Sequence, residues 1–206
     1  MRHRHLRAAA LLCAALAAAA CGDHGTTGPG APLTQADAAA LSRAVFSVGA
    51  GLAGGGVPAG ARGNQTLRAD GLTTFSFSFD TSQPCTPSGS VDITGVVAGS
   101  AQAGGSAQVQ VNVSVRHQGC VVQTDNGGTF KLNGDPGIDV AIAAAADAAG
   151  PTAFHATEKG AFTWERGGSS GRCTVDLAAD LVAGTQTVRL AGSFCGFTID
   201  QTVAAQ

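Results

Sequence analysis

Between Leu67 and Leu190 apolar residues recur at every second position, and this alternation limits the fold more than any other feature of the chain. Phe75, Phe77 and Phe79 alternate with Thr74, Ser76 and Ser78. Val109, Val111, Val113 and Val115 alternate with Gln108, Gln110, Asn112 and Ser114. The same rule covers Val91, Ile93 and Val97, then Phe130 and Leu132, then Ile138, Val140 and Ile142. It continues through Phe154 and Ala156, Phe162 and Trp164, Val175, Leu177 and Leu181, and Val188 and Leu190. Only an extended backbone sends positions i and i+2 to the same face, so each run reads as a strand with one apolar side. Turn chemistry separates the runs: Pro84 to Pro87, Gly104-Gly105, Asn126-Gly127-Gly128, Gly134-Asp135-Pro136-Gly137, Gly167 to Gly171, and Gly184. About eight or nine short strands without intervening helices predict an all-β antiparallel meander over residues 67–206, shaped as a sandwich or a half-barrel.

The last hairpin can be read by counting. With Gly184-Thr185 in the turn, Leu181 faces Val188 and Val175 faces Phe194 on one apolar face. Beyond Gly192 the apolar parity switches to Cys195, Phe197 and Ile199, which predicts a bulge at Gly192-Ser193. This register brings Cys173 and Cys195 within about two positions of facing each other, close to disulfide reach. Cys85 and Cys120 would then form the second pair; four cysteines allow three connectivities, and this one is preferred.

Upstream, Thr34-Gln35-Ala36-Asp37 has the form of a capping box, and Leu41, Val45 and Val48 follow at helical spacing. One short amphipathic helix is expected, followed by a glycine-rich linker from Gly49 to Asn64, so residues 34–66 join the helix to the β domain. Gly22 to Pro32 is rich in Gly, Thr and Pro and reads, within residues 21–33, as a flexible tether.

Residues 1–20 have the order of an export signal: Arg2, Arg4 and Arg7, then an apolar run from Ala8 to Ala20 that is too short to span a membrane. Ala18-Ala19-Ala20-Cys21 resembles the lipobox of bacterial lipoprotein precursors, with Ala18 standing where Leu is usual. That resemblance covers only the first 22 residues. It implies cleavage before Cys21 and acylation of its thiol, which makes Cys21 the lipidation site. It further implies a bacterial cell-envelope location, with Gly22 in the position that favours the outer membrane; the alternative is a soluble secreted or periplasmic chain. Cysteine arithmetic agrees: Cys13 leaves with the signal, and acylation of Cys21 leaves four thiols to pair in an oxidising compartment. Two or three acyl chains would hold the domain to a membrane, its expected partner surface.

Composition excludes several functions. Without residues 1–20 the chain has 9 basic and 14 acidic residues, net −5, the opposite of the basic footprint of a nucleic-acid binder. Tyr is absent and there is one Trp, too few aromatics for the girdles of a transmembrane β-barrel.

No catalytic or metal constellation and no cofactor motif is expected. His24 lies in the tether; His117, His155 and Glu158 read as solvent-facing strand residues whose spacing does not bring them together. Asp80-Thr81-Ser82, after an apolar strand, resembles the aspartic protease triplet, but the second triplet that chemistry needs is absent. No Gly-x-Ser-x-Gly elbow occurs, and Ser169-Ser170 sit in a glycine turn. The expected function is therefore non-enzymatic: a lipid-anchored envelope protein that binds, scaffolds or supports, with a protein or a hydrophobic small molecule as partner. A half-barrel with Phe75, Phe77 and Phe79 lining a cavity would carry a lipid or other apolar ligand, and would resemble periplasmic lipoprotein-carrier domains in fold.

Overall fold

The computed structural model describes residues 33–54, 61–68 and 71–204, and for residues 48–54 the backbone only. The expected signal (residues 1–20), the expected lipidation site Cys21, His24 and the expected tether as far as Pro32 lie outside the described residues, whereas Leu33 is described and buried. One helix precedes ten strands: α1 (Gln35–Gly54), β1 (Arg62–Leu67), β2 (Leu72–Pro84), β3 (Ser90–Gln102), β4 (Ala107–Gln118), β5 (Cys120–Gln123), β6 (Thr129–Asp147), β7 (Gly150–Arg166), β8 (Ser169–Leu181), β9 (Thr187–Phe194) and β10 (Phe197–Ala204). All ten strands belong to a single antiparallel sheet, in the order β1-β2-β3-β4-β6-β7-β8-β9-β10, with β5 paired beside β4 on the end of β6. The meander expected from the alternation is present as one sheet, not two.

The sheet is curled. Nine strands abreast at ~4.8 Å spacing make a ribbon far wider than the ~10 Å diameter of the one described helix available to cover it. Yet side chains from β2, β3, β4, β6, β7, β8, β9 and β10 join those of α1 in one buried cluster, so the apolar face must wrap on itself. Glycines permit the bending. A Cβ on Gly160 would collide with the carbonyl oxygen of Gly137 on β6, and one on Gly192 with that of Asp176 on β8. Both have positive φ, +148° and +139°, where a side chain is strained as well as crowded.

The capping box forms as the sequence predicts. The Asp37 backbone N–H donates to Thr34 Oγ1 at 3.1 Å, and the Thr34 N–H and hydroxyl donate to Asp37 Oδ2 at 3.2 and 2.7 Å. Ala38, Leu41, Val45 and Phe46 are buried, while Val48 falls among the side chains not described. Four ties then fix the helix to the sheet. Arg166, at the end of β7, donates to both carboxylate oxygens of Asp37 at 2.7 and 3.0 Å, with its guanidinium 4.8 Å from the Phe130 ring centre. Arg43 pairs with Asp125 in the β5–β6 turn, Gln35 donates to Thr198 O, and Gln201 donates to Ala39 O and Ser42 Oγ. Because Gln35 meets Thr198 and Ser42 meets Gln201, α1 runs in the direction of β10 across the buried face.

Three local expectations change. The glycine-rich stretch is helical as far as Gly54 and extended from Arg62, where β1 pairs residue by residue with β2 from Arg62↔Ser78 to Leu67↔Thr73. Gly134 to Gly137 is not a turn between two strands but a bulge within the 19-residue β6. Gly192-Ser193 is not a bulge. Phe194 pairs with Phe197 across a two-residue Cys195-Gly196 turn, with φ of +53° and +83°, and crossing a two-residue turn is what switches the parity. The ten strands agree with the meander of about eight or nine that the runs predict: β1, β5 and β10 join them, while β6 and β7 each take up two runs.

The cysteines pair as preferred, Cys85 with Cys120 and Cys173 with Cys195. Among the described residues no helix is long and apolar enough to cross a membrane.

Candidate ligand-binding face

Register arranges the inward side chains in rows across the sheet. One row reads Phe79, Gly95, Val113, Val140, Glu158, Leu177, Gly192, Ile199. The row on one side, led by Thr81, Ile93, Val115 and Ile138, belongs to the filled end of the molecule, where Phe130, Phe162, Trp164 and Phe194 are fully buried. On the other side lie Phe77, Val97, Val111, Ile142, Ala156, Ala179 and Leu190, and beyond them Phe75, Gly99, Val109, Ala144, Phe154, Leu181, Val188 and Val203. In that last row most side chains are only half-buried. The apolar face is thus packed at one end and part-open at the other.

The phenylalanines singled out from sequence straddle this gradient. Phe79 is buried; Phe77 and Phe75 are half-buried and stack on each other, ring centres 5.9 Å apart at 28°. Each ring lies over a glycine of the neighbouring strand: a Cβ on Gly63 would strike the Phe77 ring, and one on Gly99 the Phe75 ring. They therefore form an apolar lip at the open end.

Two polar side chains sit on the same face where only apolar ones were expected. Glu158 and His117 are 2% and 1% exposed, which corrects their reading as solvent-facing residues. Neither ring nitrogen of His117 has a hydrogen-bond partner, and neither does Glu158 Oε2. Burial pushes the Glu158 carboxyl up to about 7 and the His117 imidazole down to about 4, because each charged form loses its hydration. The signal for both was parity. Position 158 continues the inward series from Phe154 to Trp164, and position 117 continues the series from Val109 to Val115. His117 lies two rows from Glu158, beside Phe162 at the filled end, with ring centres 6.3 Å apart.

His155 points to the outer face, as expected, with Nδ1 2.7 Å from Asp180 Oδ1. It cannot meet His117 or Glu158 through the sheet. That pair belongs to a polar outer surface with the cross-strand ion pairs Lys159–Asp176 and Arg189–Asp200. An open groove of about 530 Å³ on this surface is lined by Gln108, Gln110, Ala143, Ala153, His155 and Asp180. Asp80 is exposed on the outer face of β2 opposite Thr94, and Ser169 is buried at the start of β8.

Compared with family models, curated proteins and solved structures, the chain matches none.

Proposed function

We propose that the protein is an exported, lipid-anchored, non-enzymatic binding protein of the cell envelope, held to a membrane through Cys21. The observation that supports this is the allocation of cysteines: both disulfides draw on the β domain and consume Cys85, Cys120, Cys173 and Cys195. With Cys13 inside the expected signal, Cys21 is the one cysteine of the mature chain left over from these two pairs, and it stands directly after that signal. Two disulfides also fit an oxidising compartment outside the cytoplasm. Detergent-phase partition tests the reading. Wild type should enter the detergent phase and Cys21→Ala the aqueous phase; equal partition of the two would overturn it.

A second reading concerns what the domain binds. The Phe75–Phe77 lip is half-buried on the inward face and stacks on itself, outside the buried cluster. Such a lip at the open end of a curled sheet suits an apolar ligand entering the sheet's interior, in the manner of a carrier. Extraction of the purified protein into organic solvent, followed by mass spectrometry, should release a bound apolar compound from wild type. Much less should come from Phe75→Ser with Phe77→Ser; equal amounts, or none from either, would refute a ligand at this lip.

A further inference from the structure

We propose that Glu158 is the polar anchor of the interior site, taking a hydrogen-bond donor, a hydroxyl or an ammonium, from the head of an amphiphile whose alkyl chain lies along the open end. This deepens the carrier reading and rests on it.

The first ground is position. Glu158 is on the inward face of β7, in the second row from that of Phe75, Val109 and Phe154, a distance of ~13 Å at ~3.3 Å per residue. An alkyl chain of medium length covers that distance. The second ground is the path. Between the half-buried last row and Glu158 the inward residues of β6, β7 and β8 are Ile142, Ala156 and Ala179, so on β7 and β8 the strip leading to the carboxyl carries little side-chain bulk.

The third ground is the carboxyl itself. Its lateral neighbours in the register are Val140 and Leu177, with Ala156 and Gly160 on either side along β7. None of these offers a donor, and Oε2 is fully enclosed without one. A buried polar atom lacking a partner destabilises the fold, and an apolar residue at 158 would continue the pattern on both sides. A ligand donor supplies what the fold omits. Because burial raises the carboxyl to about 7, both protonation states are populated near neutrality. The ionised form suits an ammonium, and either form can accept from a hydroxyl. Since Glu158 is 2% exposed, the head reaches it by parting the side chains of the open end.

The test uses the purified mature chain with three probes of equal chain length: 1-decanol, decylamine and decyl methyl ether, which lacks a donor. Dissociation constants are measured for wild type, Glu158→Leu and Glu158→Gln, with thermal melting to verify folding. Wild type should bind decanol or decylamine about tenfold or more tighter than the ether, the ordinary reach of one buried hydrogen bond. Glu158→Leu should keep the ether affinity and lose the preference. Glu158→Gln, which keeps an acceptor and its volume, should keep a preference for decanol and lose any for decylamine. A wild type that binds all three probes alike, or a preference that survives in Glu158→Leu, would overturn the anchor and leave the apolar site standing. If wild type binds none of the probes, the carrier reading falls with it.

Discussion

Replacing Glu158 with leucine should remove a pH dependence of stability that the burial of the carboxyl creates. The carboxyl titrates at 4.5 in an exposed setting and at about 7 in the fold, where burial disfavours its charge. Between those values the folded state holds a proton that the unfolded chain has released. Stability contributed by the neutral acid is therefore complete below pH 4.5, falls as pH rises, and is lost above pH 7. At ~1.4 kcal/mol for each pH unit separating the two values, the carboxylate costs about 3 kcal/mol at pH 8. Urea unfolding followed by the fluorescence of Trp164, the chain's one tryptophan and 2% exposed, would read this directly. The stability difference between Glu158→Leu and wild type should shift by about 3 kcal/mol in favour of leucine from pH 4 to pH 8. The His117 contribution is common to both proteins and cancels. Glu158→Gln should show the same pH dependence, because it removes the titration and keeps the volume. A mutant-minus-wild-type difference that stays constant with pH would show that the carboxylate is solvated or partnered in the fold, and the reasoning would fail.

Other expectations follow from the ties between the elements. The guanidinium of Arg166 holds the Asp37 carboxyl down at about 2, against 3.8 when free, and both side chains are mostly buried. Stability from this pair should be present above pH 3.8 and lost as pH falls through 2, and Asp37→Ala should cost about 2 kcal/mol at pH 6 in urea unfolding. An effect below ~0.5 kcal/mol would show that this pair does not hold α1 to the sheet. Replacing Cys173 and Cys195 together by serine opens a bridge spanning 22 positions and should cost roughly 3 kcal/mol in a calorimetric melt; no change would contradict a closed bridge. Gly160→Ala combines a positive φ with a collision against β6 and should cost about 2–4 kcal/mol. Gly184→Ala, also at positive φ but facing open space, should cost about 1 kcal/mol, and equal losses would remove the crowding argument.

The parts of the fold legible in the sequence are those where burial writes a period into the residues. Strands with one buried face, such as β4 from Val109 to His117, carried the alternation, and hairpin counting placed Leu181 against Val188 and Val175 against Phe194. β1 was invisible because all six of its residues are exposed, so no side of it has to be apolar. The extension of α1 to Gly54 ran against glycine's poor helix propensity. Gly134-Asp135-Pro136-Gly137 has the chemistry of a turn, yet the strands on either side continue past it as one, and local residue types do not distinguish a turn from a bulge. At Glu158 and His117 parity and polar identity conflict: their positions point inward while their side chains suggest water, and the structure follows parity. The lip was half legible, since the parity of Phe75 and Phe77 gave the face, but which end of that face stays open depends on how the sheet curls.

Membrane anchoring through Cys21 is tested by the intact mass of the protein recovered from the membrane fraction, for wild type and for Cys21→Ala. A chain beginning at residue 21 that carries a diacylglyceryl or triacyl increment, absent from the mutant, is the predicted result. A soluble, unmodified wild-type chain beginning at residue 21 would contradict it, and would leave Cys21 as a free thiol open to intermolecular pairing.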